Sequence, residues 1–300
     1  MNVNENAELT PPRANRSLAR DGVEHRENLD LVVAIMMYAA SARCLVLSLI
    51  WLFSSLALRS AEVLPSVLVC GGSMMSGSHF ADTTLPVMRQ HFAGCKRLIL
   101  VLHATHPDER DKMEARLQEA FAHLGVPGAQ SLHHRDVAGQ RELLQSADGI
   151  FIGGGETFVL LAELYRTGQL ELIRERVKAG VPYGGTSAGA NVAGLLIGTT
   201  NDFPVAEIPS RTALGLVPFV INPHHPLPAL KADYDGRVGK IKIYLQFNPA
   251  DSVLALGNTS IARLAQGRLV FAVGSGWIYS RSGVRTLAEG ETILETSPKS

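Results

Sequence analysis

Tyr183-Gly184-Gly185-Thr186-Ser187-Ala188-Gly189-Ala190-Asn191 lies between a short apolar run and an apolar stretch with helical character. Its centre, Gly185 to Gly189, fits G-x-S-x-G, the strand-to-helix turn that lifts a serine Oγ above the end of a sheet. The small neighbours suit such a turn, where bulkier side chains would obstruct the backbone. The same five residues also arise in ordinary glycine-rich βα turns, so the surroundings decide what Ser187 is for.

Those surroundings read as an α/β domain. After Pro65, short apolar runs alternate with amphipathic stretches, the pattern of a parallel sheet covered by helices. Strands are predicted at Ser66 to Cys70, Arg97 to His103, Gly149 to Ile152 and Val181 to Tyr183, the last feeding the serine. Met113, Leu117, Phe121 and Leu124 recur at helical spacing between Asp108 and Leu124, and Gly125 ends that helix. Thr157 to Tyr165 and Leu170 to Lys178 also read as helices. Beyond Asn222 the chain is richer in turns, with strands expected at Ser252 to Leu256, Leu269 to Val273 and Trp277 to Ser280.

The 300 residues carry 28 acids against 28 bases and 46% hydrophobic residues, enough to bury a full core. Charge balance and the lack of a long basic stripe argue against nucleic-acid binding. Three scattered cysteines, Cys44, Cys70 and Cys95, make neither a disulfide framework nor a cysteine-based zinc site. The expected division is an N-terminal extension over residues 1–62 and one α/β domain over residues 63–300.

Within the extension, residues 1–30 are polar and read as a tail, whereas Leu31 to Leu58 is apolar and broken only by Arg43. Its densest part, Cys44 to Leu58, is shorter than the roughly 20 residues of a spanning helix, and the whole segment suffices only if Arg43 is accommodated. A membrane anchor, a signal-peptide core and a core helix all stay open. If the segment spans a membrane, Arg13, Arg16, Arg20 and Arg26 ahead of it place the catalytic part outside the cytosol.

A serine needs a base to activate it and usually a carboxylate to orient that base. His224, in Ile221-Asn222-Pro223-His224-His225-Pro226, is the candidate base, presented at the end of an apolar run between prolines. Asp202, in Thr199-Thr200-Asn201-Asp202, is the candidate carboxylate, although a turn or capping aspartate would look the same. Gly153-Gly154-Gly155-Glu156-Thr157 follows one strand and opens a helix, so its N–H groups suit an oxyanion, with Ala188 N–H as partner. No phosphate-loop or dinucleotide pattern accompanies these glycines, and no cofactor is expected. The pairs His103/His106 and His133/His134 raise a metal site, but no carboxylate or cysteine completes a recognisable zinc motif, and none is expected.

Together, Ile152 to Phe158, Gly185 to Asn191, Thr199 to Asp202 and Ile221 to His224 resemble the peptidase E, or alpha-aspartyl dipeptidase, family in order and mutual spacing. The resemblance implies a flavodoxin-like, mostly parallel sheet with helices on both faces, related to class I glutamine amidotransferases and cyanophycinase. It implies cofactor-free hydrolysis of small N-terminal aspartyl peptides by a cytoplasmic enzyme, with Ser187 as nucleophile, His224 as base and Asp202 as relay acid. Three positions depart from the family. Leu256-Gly257-Asn258-Thr259 stands where a Pro-Glu-Gly turn supplies an orienting glutamate, Glu156 stands where asparagine is usual, and Gly236-Arg237-Val238 replaces a Thr-Arg-Glu segment implicated in binding the substrate's acidic side chain. Arg237 survives, with Lys240 one helical turn on. The expected function is a serine-type dipeptidase working through an acyl-enzyme; a catalytically impaired binding or sensory domain and a cyanophycinase-like peptidase are the alternatives.

Overall fold

A computed structural model describes residues 36–38 and 64–295, and contacts divide the chain into Met1–Glu62 and Val63–Ser300. Of the first unit only one helical turn, residues 36–38, is described; the rest of Leu31 to Leu58, and with it the choice between anchor, signal peptide and core helix, lies outside the described residues. Among the described residues no helix is long and apolar enough to cross a membrane.

The second unit is built on an eight-stranded sheet. Its parallel part comprises β1 (Val67–Cys70), β4 (Leu98–Val101), the short edge strand β5 (Gln130–Ser131), β6 (Gly149–Ile152) and β7 (Tyr183–Thr186), in the order β1-β7-β6-β4-β5. Beyond β1 the sheet continues antiparallel through β10 (Ile261–Ala265), β11 (Arg268–Val273) and β14 (Thr292–Glu295). A hairpin of β2 (Met75–Ser76) and β3 (His79–Phe80) precedes α1 (Leu85–His91). A four-stranded sheet holds β8 (Val220–Asn222), β9 (Val253–Leu256), β12 (Gly276–Ser280) and β13 (Gly283–Leu287), with β8 and β9 parallel.

Period-2 alternation on the parallel strands sorts their side chains to two buried faces. Val67, Val69, Ile99, Val101, Ile150 and Ile152 face one core, packed by α4 (Thr157–Arg166), α5 (Gln169–Lys178) and α6 (Ala188–Ala193). Leu68, Cys70, Leu98, Leu100 and Phe151 face the other, under α1 and α2 (Arg110–His123). There Phe80, Phe92, Phe121 and Phe151 meet edge-to-face, the arrangement that aromatic quadrupoles favour. Helix α3 (Val137–Ser146) joins β5 to β6 and is capped by Asp136, whose side chain accepts from Gly139 N. Burial on both faces explains why these strands read as continuous apolar runs. The doubly wound, flavodoxin-like α/β architecture is thus present, enlarged by antiparallel strands and by the second sheet.

Two of the differences from the sequence expectation bear on the site. Strand β7 begins at Tyr183 and runs on to Thr186, so the first half of the serine motif is itself strand. The turn-rich region after Asn222 contains a 17-residue helix, α7 (Lys231–Phe247), in which only Ile241 and Leu245 are buried. Two glycines and so narrow an apolar stripe leave its sequence without a helical signature.

Candidate active site

In doubly wound sheets, ligand sites form beyond the carboxyl ends of the strands. Five such ends converge here. Ser187 follows β7, Gly153 to Glu156 follow β6, Gly71 and Gly72 follow β1, His224 follows β8 and Asn258 follows β9.

Ser187 has φ 56° and ψ −111°, conformational strain that a side chain bears only where its surroundings enforce it. Its N–H donates to Cys70 O at 3.3 Å, and its carbonyl accepts from Asn191 N as α6 begins. This is the strained strand-to-helix turn expected of G-x-S-x-G, with Ser187 half-buried. His224 is also held at positive φ, 52°, with its N–H donating to Gly71 O at 2.7 Å. Its Nε2 lies 2.9 Å from Ser187 Oγ, and its Nδ1 lies 2.6 Å from Asn258 Oδ1. Since an amide oxygen only accepts, Nδ1–H donates to Asn258, leaving Nε2 to accept from the serine hydroxyl.

Asp202 does not reach this imidazole. Its Oδ2 accepts from Thr157 N at 2.9 Å, and from the Thr157 and Thr200 hydroxyls, at the start of α4. Asn191 Nδ2 donates to the same Thr157 Oγ1. The expected relay role is corrected on this geometry: both His224 nitrogens are already engaged, and Asp202 caps α4, where a carboxylate meets an unsatisfied N–H and the positive end of the helix dipole. Thr157 itself follows directly on the Gly153 to Glu156 turn.

That turn lies against the nucleophile. A Cβ built on Gly154 would stand 3.0 Å from Ser187 Cβ and 3.4 Å from its Oγ. Gly155 has φ +130° and passes so close to Ala104 O that a side chain has no room. Gly153 N donates to Val101 O and Glu156 N to Ala104 O, which fixes both ends of the turn. Ala188 is the first residue of α6, so its N–H has no carbonyl within the helix. Glu156 is exposed at the N-cap of α4, and its side chain makes no capping hydrogen bond.

Arg237, on α7, braces the histidine loop: its Nη1 donates to Asn222 Oδ1 and Pro223 O, each at 3.1 Å, and to His224 O at 3.4 Å. It also lines, with His224, Asn258, Lys240 and Asp233, a cleft of about 640 Å³. A second cavity of about 240 Å³, lined by Met75, Phe80, Met113 and Arg116, opens on Gly153, Gly154 and Thr186. His225 turns the opposite way to His224, stacks near Trp277 with ring centroids 4.6 Å apart, and bonds Tyr279. Burial pushes its pKa down to about 4.

Gly72 is a site residue that the sequence reading missed. A Cβ there would come within 2.4 Å of the His224 ring and 2.8 Å of Asn258 Oδ1. The available signal is a glycine pair, Gly71-Gly72, directly after a central strand, where another loop can approach the backbone closely.

Fold and site together define a doubly wound α/β hydrolase with its strained serine at the carboxyl ends of the central strands. Residues 67–270 match peptidase family S51, and the chain belongs to that family; it is a peptidase. Among relatives, it is 40% identical over 158 residues to peptidase E of Shewanella amazonensis, a match covering 53% of this chain and 66% of that protein. It is 34% identical over 240 residues to peptidase E of Streptomyces coelicolor, covering 77% of this chain and 94% of that one. In fold it is similar to the crystal structure of a peptidase from an acI-B1 Actinobacterium, with TM-score 0.60 and 16% identity, covering 77% of this chain and 97% of that one.

Proposed function

We propose that this peptidase is a serine-type dipeptidase that hydrolyses small peptides, N-terminal aspartyl dipeptides among them, through an acyl-enzyme. The observation that carries this reading is the 2.9 Å contact from Ser187 Oγ to His224 Nε2, with His224 Nδ1 held by Asn258. In the proposed reaction His224 Nε2 takes the Ser187 proton as Oγ attacks the scissile carbonyl. The oxyanion is met by N–H groups of Ala188 and of the Gly154-Gly155 turn. His224 then gives the proton to the leaving amine, the peptide C–N bond breaks, and Ser187 carries the acyl group. Water, deprotonated by the same imidazole, attacks the ester and restores the hydroxyl.

The small-peptide preference is supported by the cleft beside His224, where Arg237 and Lys240 offer positive charge to a substrate carboxylate. The test is labelling of the intact chain by a fluorophosphonate probe, with hydrolysis measured over a panel of X-Leu dipeptides. Wild type should label at Ser187 and cleave, whereas Ser187→Ala should lose labelling and on the order of a million-fold in rate. A folded wild type that neither labels nor cleaves any dipeptide would overturn the reading in favour of a binding domain.

A further inference from the structure

We propose that Asp111, Glu114, His133 and His134 form a binding site for a divalent transition-metal ion, Zn2+ being the best match, that ties α2 to the edge of the sheet. The sequence reading noted the two histidines and found no carboxylate to complete a site. The fold supplies two, because Asp111 and Glu114 are three residues apart on one face of α2 and lie beside the turn after β5 that carries both histidines.

One ligand atom from each residue falls in a cluster within 4.8 Å. His133 Nε2 is 2.8 Å from Asp111 Oδ1 and 3.9 Å from Glu114 Oε2; His134 Nε2 is 2.6 Å from Glu114 Oε2 and 3.8 Å from Asp111 Oδ1. These separations straddle the ~3.3 Å edge of a tetrahedron with metal–ligand bonds of about 2.0 Å. Small shifts of side chains already facing one another would therefore admit the ion.

The groups behind the ligands are arranged as a metal site requires. Glu114 is 7% exposed, and its Oε1 is committed to Ser131 N at 2.7 Å and Gln118 Nε2 at 3.2 Å, which leaves Oε2 aimed at the imidazoles. Ser131 Oγ lies 2.6 Å from His133 Nδ1, so with Nδ1–H donating to the hydroxyl the Nε2 lone pair points at the carboxylates. Two carboxylates facing two neutral imidazoles carry charge −2, which one divalent cation neutralises. Imidazole ligands favour Zn2+ over Mg2+ or Ca2+, and four protein ligands make a closed, structural site rather than a catalytic one.

The position gives such an ion a purpose. Among the described residues β5 is a two-residue edge strand paired with β4 alone, and α2 also supplies Met113, Arg116 and Leu117 to the smaller cavity beside Gly154. Fastening α2 at its first turns stiffens that wall.

The experiment is calorimetric titration of the untagged, chelator-treated chain with ZnCl2, with Tm recorded alongside. Wild type should take up one Zn2+ with Kd at or below roughly 1 μM, and Tm should rise by about 5 °C or more at a hundredfold excess over Kd. MgCl2 should do neither. Asp111→Asn, exposed and isosteric, and His134→Ala should each weaken binding by about a hundredfold or more, and Ser131→Ala by about tenfold, with circular dichroism unchanged. His123→Ala, in the separate exposed cluster of His79, Glu119 and His123, should leave binding intact. No stoichiometric Zn2+ uptake by wild type, or uptake retained in both Asp111→Asn and His134→Ala, would overturn the proposal.

Discussion

Asn258 Oδ1 lies 2.6 Å from His224 Nδ1, so a neutral amide, from a strand end 34 residues further along the chain, holds the imidazole that faces Ser187. An amide fixes the tautomer and the ring plane but lends no charge to an imidazolium. We expect Asn258→Ala to lower kcat by about ten- to a hundredfold with little change in KM, since ring orientation is lost while substrate contacts remain. Asn258→Asp should keep activity and move the acid limb of kcat/KM to higher pH, because a carboxylate stabilises the protonated imidazole. Unchanged kcat in Asn258→Ala would mean that another group orients His224.

Asp202 makes the complementary case. Its carboxylate binds Thr157 at the head of α4 rather than the histidine, so Asp202→Asn should cost about 1–2 kcal/mol of stability while kcat stays within about tenfold of wild type. Chemical denaturation and steady-state kinetics on the same preparation separate the two effects. A loss as large as that of His224→Ala would return Asp202 to the relay role.

What the sequence could and could not convey follows from the range of each interaction. Strands β1, β4, β6 and β9 were readable because burial on both faces writes a continuous apolar run, and α2, α4 and α5 because one face repeats every three or four residues. Helix α7 was not, since Ile241 and Leu245 alone face the core and Gly236 and Gly239 interrupt it. Ser187 and His224 were readable from their flanking motifs. The partner of His224 was not, because Asp202 and Asn258 both lie in bends or turns that look alike in sequence, and the pairing of β8 with β9 brings Asn258 alongside. The carboxylates facing His133 and His134 lie about twenty residues upstream on another element, beyond any local spacing rule.

Acid stability should report the buried histidines. Burial pushes His91 down to about 3 and His225 to about 4, so both are neutral in the fold, while in the unfolded chain they titrate near 6.5. A depressed histidine pKa means that the unfolded state takes up protons first. Stability is therefore complete above about pH 6.5 and declines as pH falls towards 4 and then 3. His91 Nε2 donates to Tyr183 O at 2.9 Å, and His91→Gln keeps a donor that does not titrate. Denaturant unfolding between pH 7 and 4 should show a shallower decline for His91→Gln than for wild type; parallel curves would exclude His91 as a source.

The fit of Gly72 against His224 predicts a kinetic defect without unfolding. The Cβ of Gly72→Ala would stand 2.4 Å from the imidazole, so the ring must move by on the order of 1 Å. We expect a loss of about a hundredfold in kcat with Tm nearly unchanged, and reduced fluorophosphonate labelling of Ser187. Wild-type kcat in Gly72→Ala would show that the ring position seen here is not the working one.

Specificity should turn on Glu156. This carboxylate is exposed at the head of α4, two residues after Gly154, on which a Cβ would stand 3.0 Å from Ser187 Cβ; in the reaction we propose, the substrate's N-terminal residue would sit beside it. Two like charges about 4 Å apart at an effective dielectric near 20 repel by roughly 4 kcal/mol, a ceiling that solvent lowers at an exposed site. A third of that is about tenfold in kcat/KM. Arg237 and Lys240 pull the other way, but Arg237 already spends Nη1 on Asn222, Pro223 and His224, which limits how freely it can turn to a substrate carboxylate. Glu156 can also receive the α-ammonium that every unblocked dipeptide carries. Asp-Leu should therefore be cleaved no more than about tenfold better than Ala-Leu or Lys-Leu, and Glu156→Asn should widen that ratio by about tenfold, chiefly by improving Asp-Leu. Hydrolysis confined to Asp-Leu in wild type, with no gain in selectivity for Glu156→Asn, would remove Glu156 from substrate recognition.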